Sequence, residues 1–145
     1  MFRRKGFTII ELLIVISVIA ILVGIALPRF RGMQDEGNVA KAHGELRTLQ
    51  TAVESYREHH TTYPADIATA TLSAATPQII ATAPTDPFNP GNGYQYIVSE
   101  NGSYYVIFSY GPGRTANITA ISDAGVLTGG ADDIWVSNGT SPTGG

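Results

Sequence analysis

A lone carboxylate stands near the start of an apolar run. In "FTIIELLIVISVIAILVGIAL", Phe7 to Leu27, only Thr8, Glu11 and Ser17 of 21 residues are polar. An ionised glutamate one helical turn into hydrocarbon calls for a cationic partner, because insertion scales charge about 2.5 to 3.5 kcal/mol for an acid at mid-bilayer. The plainer alternative is an acid hydrated or protonated near the interface. A second acidic group, Asp132 and Asp133, lies between Gly129-Gly130 and Ser137-Asn138-Gly139. Such a stretch offers hard oxygen ligands, of which calcium takes about six to eight. The alternative for these acids is a solvated turn. His43, His59 and His60 do not have the spacing of a metal site: adjacent helical residues point about 100° apart, and His43 is about four turns away.

The elements that position these groups follow from hydropathy and periodicity. At 1.5 Å per residue the apolar run covers roughly 30 Å, the thickness of a bilayer's hydrocarbon core, which predicts a transmembrane helix over residues 7–28. Arg3, Arg4 and Lys5 precede it and no comparable cluster follows, so the N-terminus is expected in the cytoplasm and the body outside. The stretch Ala26-Leu27-Pro28-Arg29 fits the small-residue cleavage site of an ordinary secretory signal poorly. Beyond it, Val39, Ala42, Leu46, Leu49, Val53 and Tyr56 recur at spacings of three and four, one stripe on a helix. Residues 29–60 are thus an amphipathic continuation of the same helix. Lys41 with Glu45 and Glu54 with Arg57 have the spacing of surface ion pairs. Pro28 is the weak point of this long helix, since it offers no N–H to the carbonyl of Gly24, itself a poor helix former.

Residues 61–145 read as a loop followed by strands. The Ala/Thr-rich stretch 61–85 predicts a connection with one short helix around residues 65–73. "GYQYIVSE" and "SYYVIFSY", separated around Asn101-Gly102, predict a hairpin, and "ANITAIS" with "VLTG" about Asp123-Ala124-Gly125 predicts another. A long N-terminal helix packed on a small antiparallel sheet is an α+β fold. The 145 residues contain no cysteine, which excludes disulfides, zinc-thiolate sites and a cysteine nucleophile. After Gly6 six basic residues face twelve acids, which argues against nucleic acid as a partner. No nucleophile elbow, HExxH or phosphate loop points to an enzyme.

"RRKGFTIIELLIVISVIAIL" resembles the prepilin signal of type IV pilins and type II secretion pseudopilins. The resemblance implies a leader of residues 1–6, cleavage between Gly6 and Phe7 by a prepilin peptidase that also methylates the Phe7 amine, and a subunit that polymerises through its N-terminal helix. Glu11 would then pair with the new α-ammonium of a neighbouring subunit and set register, while the stretch from Gly24 to Pro28 could melt on assembly. Residues 85–113 are similar to the stretch of the major pseudopilins in which Asp-Pro-Trp precedes a Tyr-x-Tyr strand, with Phe88 in place of Trp. "GGADDIWVSNG" is similar to their calcium loop, which makes Asp133 and then Asp132 the expected calcium ligands, with Asp123 as the substitute for an acid of the family pattern. One acid usual after Ser109-Tyr110-Gly111 is missing here, and residues 115–128 are an insertion. The resemblance implies a single-pass inner-membrane protein with a periplasmic domain, whose partners are itself, minor pseudopilins and an inner-membrane assembly platform, and whose function is export of folded proteins. A type IV pilin for adhesion, motility or DNA uptake is the alternative.

Overall fold

The computed structural model describes residues 6–75 and 78–140. It falls into two compact units, residues 1–36 and 37–145. Helix α1, Ile9–His60, begins in the first and ends in the second without a break, and it runs helically through Pro28.

In the second unit the expected stripe is the buried one. Ala42, Leu46, Leu49 and Val53 are fully buried, with Val39 and Tyr56 packed at the ends of the row. The helix stops where Thr61 turns to a φ of 66°, its N–H still bonded to the Arg57 carbonyl. A β-branched residue is costly in that conformation, and Pro64 soon forbids return to a helix. Of the two expected surface pairs, Lys41–Glu45 forms at 3.7 Å. Glu54 and Arg57 instead bond to Tyr105 and Tyr63.

Helix α2, Thr69–Ala74, is the short helix of the connecting stretch. It starts later than expected because Asp66 Oδ1 accepts the Ala68 N–H and holds the chain extended just before it. Strands β1 (Gln95–Val98), β2 (Tyr105–Ser109) and β5 (Ile134–Ser137) form one antiparallel sheet in the order β1-β2-β5. Strands β3 (Ala120–Ile121) and β4 (Leu127–Thr128) form a separate hairpin between β2 and β5. The central strand β2 is buried along its whole length, and its alternation divides the core. Tyr105 and Ile107 join the α1 stripe, while Val106 and Phe108 pack with Ile118, Ile121 and Leu127 of the hairpin segment. The unit is therefore layered as helix, sheet and hairpin.

Two expectations need correction. The stretch 129–139, where no strand was expected, contains one, β5, which pairs Ile134 with Ser109 and Trp135 with Phe108. The β1–β2 turn is also wider than a two-residue Asn-Gly turn. Ser99 N–H bonds to the Tyr104 carbonyl across four residues, and Asn101 Oδ1 accepts the Ser103 N–H while Gly102 takes the positive φ.

Candidate functional site

In the first unit, Gly6 and Phe7 lie exposed ahead of the helix, and Thr8 caps its start at Ile9. Thr8 and Glu11 form a reciprocal capping box. Glu11 Oε2 accepts the Thr8 N–H at 2.9 Å and the Thr8 hydroxyl at 2.6 Å, and the Glu11 N–H returns to Thr8 Oγ1 at 3.3 Å. The acid is thus hydrogen-bonded within its own first turn, a pairing that the S/T-x-x-E signature at residues 8–11 encodes. Large hydrophobic side chains from Phe7 to Met33 stand exposed all round the helix, Ile9 by 80% and Leu22 by 61%. A helix apolar on every side is covered by lipid or by other helices. Ser17 adds no unsatisfied group, since its hydroxyl donates to the Leu13 carbonyl at 2.7 Å. Gly24 has open space where a side chain would be, and Pro28 lies one turn beyond it inside the helix.

The second unit is held to its helix by tyrosines. Tyr94 donates to Glu45 Oε2 and Tyr105 to Glu54 Oε1, both at 2.7 Å. Burial first, then the carboxylate each one bonds, pushes both hydroxyls far above the ordinary tyrosine range. Tyr63 accepts from Arg57 and from Asn138 Nδ2 and packs edge-on against Tyr105. Asn138 Oδ1 accepts the Tyr105 N–H, which ties the end of β5 to the start of β2.

Asp86 is a keystone that sequence reasoning did not single out. Its carboxylate is buried and accepts from the Phe88 N–H at 2.9 Å, the Ser109 hydroxyl at 2.6 Å and the Tyr110 N–H at 3.0 Å. The signal was present in "DPF": an Asp before Pro favours a turn in which the side chain caps the next free N–H. Phe88, in the Trp position of the resemblance, is buried in the main core.

The three expected calcium ligands do not converge. Asp123 sits at the tip of the β3–β4 hairpin, where Oδ1 accepts the Asn101 N–H at 2.8 Å. Asp132 is exposed, and Asp133 is nearly buried at the foot of β5. Asp133 Oδ2 accepts the N–H groups of Asn117 and Ile118 at 2.8 and 2.6 Å, and Oδ1 accepts Asn117 Nδ2 at 3.3 Å. Among the described residues no three His, Cys, Asp or Glu side chains group as a metal would require. The donor set therefore does not fit calcium: its best carboxylate is already occupied by backbone amides. His59 and His60 each bond a carbonyl one turn back on α1, and His60 stacks on Tyr56.

An apolar helix behind a Gly-Phe junction, continuing into the core of a small α+β domain, defines the pilin-like class of filament subunits. Residues 1–27 accordingly match the prokaryotic N-terminal methylation motif. Residues 29–124 match the family model of type II secretion system protein G, and the chain belongs to that family. Type II secretion system core protein G of Pseudomonas aeruginosa is 25% identical over 121 residues, covering 75% of this chain and 84% of that protein. Its counterpart in Dickeya chrysanthemi is 27% identical over 122 residues, 76% of this chain and 78% of its own. The fimbrial protein EcpB of Eikenella corrodens is 44% identical, but over 59 residues, 41% of this chain and 37% of that protein. No solved structure matches the chain significantly.

Proposed function

We propose that this chain is the major subunit of a type II secretion pseudopilus, inserted once in the inner membrane and assembled into a periplasmic filament that helps move folded proteins across the outer membrane. The observation that carries the reading is the helix before residue 34, which exposes apolar side chains on every face while the other unit has a closed core of its own. Such a helix can pass from lipid into a bundle of like helices without a change of solvent quality. The role is structural and involves no catalysis. Protein G relatives align over three quarters of the chain and fimbrial ones over much less, which favours the pseudopilus over a pilus.

In this reading prepilin peptidase cuts between Gly6 and Phe7. The cut removes three cationic side chains and creates an α-ammonium whose charge methylation of Phe7 preserves. Glu11 exchanges its Thr8 bonds for the ammonium of a neighbouring subunit, a charge-assisted contact that fixes axial register. Pro28 leaves the Gly24 carbonyl without a helical donor, so the stretch between them is where α1 can lengthen. Minor pseudopilins and the inner-membrane assembly platform are the further partners. Mass spectrometry of the mature N-terminus tests the scheme. A chain that begins with N-methylated Phe7 is expected, whereas an intact Met1 or a cut after Ala26 would overturn it.

A further inference from the structure

We infer that the periplasmic unit is closed without a divalent cation, by a strap made of the inserted hairpin and clamped by Asp133. The strap leaves the body after β2 and returns at β5. At its base the Asp133 carboxylate gathers the backbone amides of Asn117 and Ile118, and Thr119 N–H bonds to the Thr128 carbonyl at 3.0 Å. At its tip Asp123 caps the Asn101 N–H of the β1–β2 turn, and the Gly125 carbonyl accepts the Thr140 N–H at 2.8 Å. Between the two ends, Ile118, Ile121 and Leu127 are buried against Val106 and Phe108. The segment is thus fastened at base, centre and tip by groups of this chain alone.

The arms of the loop also touch where a cation would have to separate them. A methyl group on Gly129 would lie 1.9 Å from the Asn117 carbonyl oxygen, and one on Gly111 would lie 2.1 Å from that of Asp132. Both glycines have positive φ, which lets the backbones meet. Calcium holds each ligand oxygen about 2.3 to 2.6 Å away and needs about six of them. At this seam the acidic side chain with the deepest burial has its oxygens directed at amides instead. The missing acid after Gly111 and the presence of the insertion then have one explanation: the strap replaces the ion. The Asp133 carboxylate, by accepting two backbone N–H groups, ties the foot of β5 to the base of the strap directly.

The test is thermal unfolding of the full chain in detergent micelles, followed by the fluorescence of Trp135, the single tryptophan, whose ring packs with the strap cluster. The Tm is expected to be the same in 1 mM calcium chloride and in 1 mM EGTA, and equilibrium dialysis at 1 mM calcium is expected to retain no stoichiometric ion. Asp133→Asn is expected to lower Tm by roughly 5 °C, equally with and without calcium, because one amide-accepting charge is lost. A rise in the unmodified chain of about 4 °C or more on adding calcium would correspond to ligand-linked stabilisation and would overturn the inference. So would one retained ion per chain, or an Asp133→Asn protein with unaltered Tm. The measurements on the unmodified chain decide the question even if the variant does not fold.

Discussion

Asp86 shows how one buried carboxylate organises the body. Three donors from two distant segments converge on it, so the turn that opens the strand region is fixed against the end of β2. Replacing it leaves the Phe88 and Tyr110 amides and the Ser109 hydroxyl without their acceptor, and each orphaned buried donor costs about 1 to 3 kcal/mol. Asp86→Ala is therefore expected to lose roughly 3 kcal/mol or more, read as an earlier midpoint in urea unfolding with an unchanged slope. Asp86→Asn, which keeps an acceptor oxygen but adds an amide with nowhere to donate, is expected to fall between the two. Equal midpoints for all three proteins would remove Asp86 from this role. At this scale the sequence was only partly legible. The Asp-Pro turn and the Thr8-x-x-Glu11 box each have a local signature, whereas Ser109 and Tyr110 lie more than twenty residues from Asp86 and only the tertiary fold brings them to it.

The element scale was the most legible, because period carries the information. The α1 stripe, the α+β class and both hairpins could be read from spacing, and the buried row matches the expected one from Ala42 to Val53. Strand β5 was missed since two aspartates and Gly129-Gly130 precede a run of four residues too short to show a period. The bonds that join α1 to the strand region escaped for a different reason: in the sequence Glu45 and Glu54 have only nearby cations as partners, whereas the fold brings Tyr94 to Glu45 beside Lys41 and Tyr105 to Glu54 in place of Arg57. These bonds predict an alkaline response. An unfolded tyrosine ionises near pH ~10, while Tyr94 and Tyr105 keep their protons to higher pH in the folded unit. Above pH ~10 the unfolded chain binds fewer protons, so stability is full below that pH and falls as the pH rises through the folded values. In a series of melts between pH 8 and pH 11, the Tm is expected to fall most steeply at the alkaline end. The double variant Tyr94→Phe, Tyr105→Phe is expected to start lower, by about 1 kcal/mol per lost bond, and to decline less. An identical slope in the two proteins would sever the link to these tyrosines.

For the whole molecule, the difficulty is to specify one assembly from a surface that is apolar on every side. Leucine, isoleucine and valine attract any similar helix at any axial offset, so they supply cohesion without register. Glu11 is the only acid in that surface from Phe7 to Leu27, and in the single subunit Thr8 already satisfies it. Two consequences can be separated by experiment. Loss of Glu11 should not harm insertion, because removing an acid from a lipid-facing helix lowers its transfer cost. On the proposed pairing the same loss should harm assembly, because the ammonium of the neighbouring subunit would be left buried without a counter-ion, which is strongly unfavourable. Glu11→Ala is therefore expected to reach the membrane and carry the same mature N-terminus as the parent, yet to yield at least tenfold less sedimentable filament, a factor equivalent to about 1.4 kcal/mol per subunit contact. Glu11→Gln tests charge apart from shape: it can keep bonds to Thr8 but offers no ion pair, so its yield should fall as well. Thr8→Val tests the converse, since it disrupts the internal cap and leaves the acid available to a neighbour. Its filaments should form, with the defect confined to the stability of the first helical turn. Normal filament yield from Glu11→Ala, with processing intact, would refute the pairing and leave apolar packing as the sole determinant of register.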